Sequence, residues 1–171
     1  MVTYTGHIDR CWGNEHTKFN YVRQSLTLEE IDQWETLGYS QDNVRSLCGM
    51  MYDNKNPMPD WIDNVKNAFG LVSQTYTFYK METLEIMPVH SDHFRTYCRL
   101  NSTTPDKVYR AVLMIEDWKP GHYFEMDNVG YVNWKAGDWF MWQGDTIHSA
   151  ANIGIEPRYT LQITGIKETA Q

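Results

Sequence analysis

"QTYTFYKMETLEIMPVHSDHF", residues 74–94, alternates polar and apolar side chains, is rich in Thr, Tyr and Ile, and ends in two histidines flanking a carboxylate. Alternation with a period of two is the pattern of a half-buried strand, in which residues two apart share a face. Leu84, Ile86, Pro88, His90 and Asp92 are thereby expected on one face, with an imidazole and a carboxylate delivered together at the strand's end. A strand end and its turn rarely close a metal shell by themselves. A metal reading of "HSD" therefore needs a third ligand from far away in sequence; the other reading is a polar strand end.

Downstream, the same period returns in "KVYRAVLMIEDW" (107–118), "HYFEM" (122–126), "GYVNW" (130–134), "DWFMW" (138–142) and "RYTLQITGI" (158–166). Turn signals such as Lys119-Pro120-Gly121, Asp127-Asn128 and Gly144-Asp145 separate these runs. Upstream the period is helical. In "SLTLEEIDQWETLGY" (25–39), Thr27 as N-cap with Glu30 forms a capping box, Leu28, Ile31, Trp34 and Leu37 follow at helical intervals, and Gly38 is the stop. "SQDNVRSLCGMMY" (40–52) carries an apolar stripe at Val44, Leu47, Cys48 and Met51, and "MPDWIDNVKNAFG" (58–70) one at Trp61, Ile62, Val65, Ala68 and Phe69. The expected class is α+β: a helical part over about 25–70 buttressing a sandwich or barrel of antiparallel strands over about 74–166.

Composition bounds what such a chain does. Its 171 residues suffice for one domain with a sizeable core and are short for two, so 1–171 reads as a single domain. Seven Trp and eleven Tyr exclude a disordered chain and leave large aromatic surfaces to pack or present. A formal charge of −7 argues against a duplex nucleic-acid partner. Cys11, Cys48 and Cys98 lack C-x-x-C spacing, which implies buried reduced thiols, and Cys11 with His7 and His16 lacks a fourth zinc ligand at suitable spacing. With neither a signal-peptide pattern nor an apolar run of about 18 residues, a soluble cytoplasmic protein without membrane contact is expected.

The candidates for a third ligand are few. His7 and His16 lie in the irregular N-terminal segment, His93 has the opposite parity from His90, and His122 follows a Pro-Gly turn. His148 opens a short extended stretch after the "WKAGDWFMWQGD" hairpin, a context that favours it. Ten residues on, Arg158, Thr160, Gln162 and Thr164 share one strand face, with Tyr159, Leu161 and Ile163 on the other. The simple reading puts the polar face in solvent. A cavity holding a dianionic acid would need it inward, since a guanidinium with a hydroxyl clamps a carboxylate.

Taken together, "HSD" (90–92), His148, and Arg158 with Thr160 resemble the HxD…H…RxS/T arrangement of the Fe(II)- and 2-oxoglutarate-dependent dioxygenase superfamily, whose fold is a double-stranded β-helix of the jelly-roll or cupin-like kind. The resemblance runs from Tyr76 to the end of the chain, through "LMIEDWKPG" (113–121) and "NWKAGDWFMWQGDTIHSAANIGIEPRYTLQI" (133–163). The final third is similar to the aspartyl/asparaginyl β-hydroxylase branch and the front half to prolyl-hydroxylase-type members. The first branch generally lacks the carboxylate that Asp92 supplies, and the second usually has lysine where Arg158 stands, so the branch stays open. Asp92 also argues against a halogenase, which needs a small residue there.

The resemblance implies that His90, Asp92 and His148 bind Fe(II), and that Arg158 and Thr160 bind the distal carboxylate of 2-oxoglutarate, with Tyr79 a supporting contact. It further implies hydroxylation of an unactivated C–H bond with O2 and release of succinate and CO2. The substrate would be a small molecule or a side chain. Arg110, a cation inside an apolar run, is a candidate for an anionic substrate or co-substrate carboxylate, or a partner of Glu116. His93 and Trp142 are further substrate-side candidates. The alternative is a non-catalytic cupin-like protein that binds a metal or ligand without turnover.

Overall fold

The period-two segments fold as two antiparallel sheets packed face to face. The computed structural model of the protein describes residues 3–23, 26, 28–40 and 49–167. The larger sheet has the order β1 (Thr3–His7), β9 (Asp138–Gln143), β6 (Val108–Met114), β11 (Arg158–Lys167), β4 (Leu71–Met81), β3 (Met50–Asp53) and β2 (Val22–Arg23). The smaller has β5 (Glu85–His90), β10 (His148–Asn152), β7 (His122–Met126) and β8 (Val129–Tyr131). The β7–β8 turn is closed by Asp127 and Asn128 at φ of 52° and 62°, the positive values a tight hairpin turn requires.

The two faces of the larger sheet do different work. Its outer face, with Phe78, Leu161, Ile163, Leu113 and Met141, packs on Trp12 and on α2 (Ile62–Val65) and the 3₁₀ turn that continues it, through Trp61, Ile62, Val65 and Phe69. Its inner face gives Val112, Met114, Phe140 and Trp142 to a second core with Phe124 and Met126 of β7 and Trp134. The polar row of β11 lies on the inner face: Arg158, Thr160 and Thr164 are buried. The apolar face of β11 is turned to the helices, so the alternation that elsewhere separates core from solvent here separates core from cavity.

Helix α1 (Leu28–Thr36) forms where expected and stops at Gly38, whose φ of +96° suits glycine. Ile31 and Trp34 are buried, while Leu28 and Leu37, expected on the same stripe, are exposed. Thr27 and residues 41–48, and with them most of the second expected helix, lie outside the described residues. Its last apolar position, Met51, is in strand β3, where Met50–Asp53 pair with Lys80–Thr77 and cap the edge of β4. Gly49 permits that approach: a Cβ there would stand 2.5 Å from the Lys80 carbonyl oxygen.

The 74–90 run is two strands. The chain turns at Glu82–Leu84, with Leu84 at φ +68° and exposed, and Glu85 closes the turn by accepting from the Glu82 N–H at 2.6 Å. The expected shared face of Leu84, Ile86, Pro88 and His90 is overturned by a β-bulge. Met87 pairs with Ala150 but His90 with His148, so β5 spends three steps where β10 spends two. The extra residue falls at Pro88–Val89, where a missing backbone N–H is tolerated, and Met87 and His90 are both buried as a result. Cys11 is exposed and Cys98 half-buried, contrary to the expectation of buried thiols. Among the described residues, no helix is long and apolar enough to cross a membrane.

Candidate metal centre

Two strand ends meet at the metal-ligand candidates. The β5–β10 register sets His90 opposite His148, with ring centroids 4.2 Å apart. Asp92, two residues past β5, places Oδ2 3.8 Å from His148 Nε2. One ligand atom from each of His90, Asp92 and His148 lies within 4.8 Å of the others. Among the described residues this is the only such group of three histidine, cysteine or acidic side chains.

Each imidazole is oriented by a backbone carbonyl two residues upstream. His90 Nδ1 is 2.7 Å from the Pro88 oxygen and His148 Nδ1 is 3.0 Å from the Thr146 oxygen. A carbonyl only accepts, so Nδ1 carries the proton in both rings and the Nε2 lone pairs are available to a metal. Burial, with His90 nearby, pushes His148 down to about 4, so it is neutral near pH 7, as a ligand must be. Burial alone would raise the Asp92 carboxyl; Arg110, His148 and His90 outweigh it and hold Asp92 at about 2. Two imidazoles and one carboxylate are the donor set of a divalent transition metal held on one face, with other positions open.

The triad opens into a cavity of about 230 Å³ between the sheets. Its walls include Tyr79, Met81, Arg110, Trp142, Arg158, Thr160 and Gln162. Arg158 sits at the start of β11, 4% exposed, stacked 5.5 Å above Trp134. Its Nη1 meets the Met81 sulfur at 3.4 Å and its Nε has no hydrogen-bond partner among the described residues. Burial draws this guanidinium down to about 10. Thr160 is buried and faces Tyr79 across the β4–β11 ladder, so Arg158, Thr160 and Tyr79 share one wall.

Other expected residues fall into place differently. Trp142 is buried with its ring 4.7 Å from that of His148, in the wall beside the triad. Arg110 enters the cavity but pairs with Asp92, not Glu116, which instead meets His16 and Lys119. His93 is exposed and lies outside the cavity wall, because the chain turns at Phe94, with φ +51°, into α3 (Arg95–Asn101). His16 is buried against Glu116, and His7 is paired with Asp138, both remote from the triad. Gln162 and Thr77 line the cavity without having been singled out. The period-two rule already placed Gln162 on the face of Arg158 and Thr160.

No protein-family model matches the chain and no curated protein matches its sequence. Solved structures do match. A prolyl-4-hydroxylase from Pseudomonas putida is 16% identical, with a TM-score of 0.52 over 91% of this chain and 96% of that one. KdgF from Halomonas sp. is 11% identical, TM-score 0.42, over 70% and 80% of the two chains. A predicted oxalate decarboxylase from Thermotoga maritima is 13% identical, TM-score 0.44, over 72% and 87%. The fold is a double-stranded β-helix. Within it the triad stands on the smaller sheet and the Arg158 row on the larger one, so the cavity is the gap between the sheets.

Proposed function

We propose that the protein is an Fe(II)- and 2-oxoglutarate-dependent dioxygenase that hydroxylates an unactivated C–H bond of a small molecule or amino-acid side chain, with release of succinate and CO2. The observation that carries this reading is the buried Arg158 on the wall of the cavity that holds the triad. Among the described residues Arg158 has no acidic partner, and a buried guanidinium so placed costs several kcal/mol. A site that merely retained a metal has no use for one, whereas a diacid anchored at the metal by one end would set its other carboxylate against Arg158 and Thr160.

Iron, 2-oxoglutarate and O2 would supply the oxidising chemistry. The chain's part is to hold the metal with His90 Nε2, Asp92 and His148 Nε2, to fix the diacid's far end with Arg158, Thr160 and Tyr79, and to exclude water with Trp142, Met81 and Met87. A cavity of about 230 Å³ suits a small diacid and one substrate group.

Anaerobic titration with Fe(II) and 2-oxoglutarate tests the reading. A visible charge-transfer band in wild type that is lost in His148→Ala and weakened in Arg158→Ala is the expected result, with succinate release as the next assay. Iron binding without a band would leave a cupin-like metal-binding protein, and absence of iron binding would remove the metal centre altogether.

A further inference from the structure

The three candidate ligands are held by different means. His90 and His148 are each fixed locally, by a carbonyl two residues away. Asp92 has no such local partner: among the described residues, the side chain that hydrogen-bonds it is Arg110, from the opposite sheet. The contact is a fork, with Nε donating to Oδ2 at 3.1 Å and Nη2 to Oδ1 at 3.3 Å.

The guanidinium is itself fixed. Its Nη1 donates to Gln162 Oε1 at 3.1 Å, and its carbon lies 5.2 Å from the centroid of the Phe94 ring. Register explains the Gln162 contact: Arg110 pairs with Thr164, and Gln162 is the next residue of β11 on that face. Three hydrogen bonds and a ring therefore hold Arg110 in one orientation. A group already committed to Asp92 and Gln162 on three of its five N–H bonds is poorly placed to receive a substrate carboxylate.

We infer that Arg110 is a positioning residue for the metal centre, which fixes the Asp92 carboxylate so that Oδ2 is presented to the side of His148 while the fork occupies the outer edge. The inference rests on the metal-binding reading above. Its physical content is geometric. A fork engages one lone pair on each oxygen and sets the carboxylate plane, and a carboxylate so held gives the metal one oxygen instead of two. A second coordinated oxygen would take a position the co-substrate needs. Lysine, a point charge on a flexible stem, cannot impose that plane.

The test is calorimetric titration of the full chain with Co(II), together with the Co(II) visible spectrum, in wild type, Arg110→Lys, Arg110→Gln and Gln162→Leu. Loss of an orienting partner of this kind typically weakens metal binding roughly 10- to 100-fold. Such a loss is expected in both Arg110 variants, with an altered Co(II) spectrum and no rescue by lysine. Gln162→Leu keeps the fork and is expected to show a smaller loss in the same direction, which serves if an Arg110 variant fails to fold. Unchanged Co(II) affinity in folded Arg110 variants and in Gln162→Leu would overturn the inference, as would full rescue by lysine or tighter binding in Arg110→Gln, which would make Arg110 a charge alone. No Co(II) binding by wild type would instead remove the metal centre on which the inference stands, an outcome distinct from the others.

Discussion

Arg158 and Met81 face each other across the β4–β11 ladder, and the thioether sulfur, 3.4 Å from Nη1, is a weak acceptor for a fully buried guanidinium. The arrangement is unfavourable for an empty fold and favourable for one that receives an anion. Replacing even a buried ion pair with apolar residues of similar volume is often neutral or stabilising by ~1–4 kcal/mol, and a guanidinium with no carboxylate partner among the described residues bears the desolvation without the Coulombic return. Arg158→Met is therefore expected to raise the melting temperature of the ligand-free protein by several degrees. On the proposed function, 2-oxoglutarate with a divalent metal is expected to raise the melting temperature of wild type, and the same variant should lose that shift. A melting temperature that falls in Arg158→Met would show that the residue is structural.

Metal binding should couple to stability through the triad. A ligand at 100 times its Kd that binds only the folded state stabilises by about 2.7 kcal/mol. Mn(II) or Co(II) is expected to raise the melting temperature of wild type, chelator should reverse the shift, and His90→Ala, Asp92→Ala and His148→Ala should each abolish it. A shift that persists in all three variants would place the metal elsewhere.

Much of this was legible in the sequence because strand alternation encodes faces. Two residues of separation put Arg158, Thr160 and Gln162 on one wall, and they are on one wall. Alternation does not say which face is wet: the polar row of β11 looks solvent-facing until the smaller sheet closes over it. Nor does it survive a bulge. Ile86 was expected to share the face of His90, and the extra residue at Pro88–Val89 gives that place to Met87. The fork from Arg110 to Asp92 spans two sheets and 18 positions of sequence, and residue order alone offered Glu116, not Asp92, as the acidic partner. Met51 was misplaced for a related reason, since an apolar residue seven positions after Val44 fits a helix stripe until the open edge of β4 recruits it.

Helix α1 packs Trp34 against the candidate metal centre. Trp34 is 1% exposed, packs with Tyr79, Met81 and Met87, and meets the His90 ring edge-on at 5.8 Å. Truncating a buried tryptophan costs roughly 3–5 kcal/mol, so Trp34→Ala is expected to destabilise by that order. It should also weaken metal binding, because the wall behind His90 is lost. The indole N–H has no hydrogen-bond partner among the described residues, so Trp34→Phe removes a buried unsatisfied donor along with some volume, and a cost below about 1.5 kcal/mol is expected. Urea melts of the two variants check both values, and an equal cost for Phe and Ala would contradict the packing argument.

Remote from the cavity, Glu116 ties the N-terminal segment to the end of β6 and carries an acid-sensitive share of stability. Its Oε1 is 3.0 Å from Nε2 of the buried His16 and its Oε2 is 2.8 Å from Lys119 Nζ. Burial alone would raise the carboxyl; the hydrogen bonds from His16 and Lys119 outweigh it and bring it from the ordinary 4.5 to about 2. Because the folded value is the lower one, the unfolded chain binds more protons between these limits and stability rises with pH there. The contribution is whole above the unfolded value and is lost as pH falls from 4.5 towards about 2. Glu116→Gln removes the titrating group and leaves an amide oxygen that still accepts one hydrogen bond. Its stability should therefore fall less steeply than that of wild type across this window and run parallel to it above about pH 6. Urea midpoints measured from pH 2 to 7 decide the matter, and curves that stay parallel throughout would remove Glu116 from the acid response.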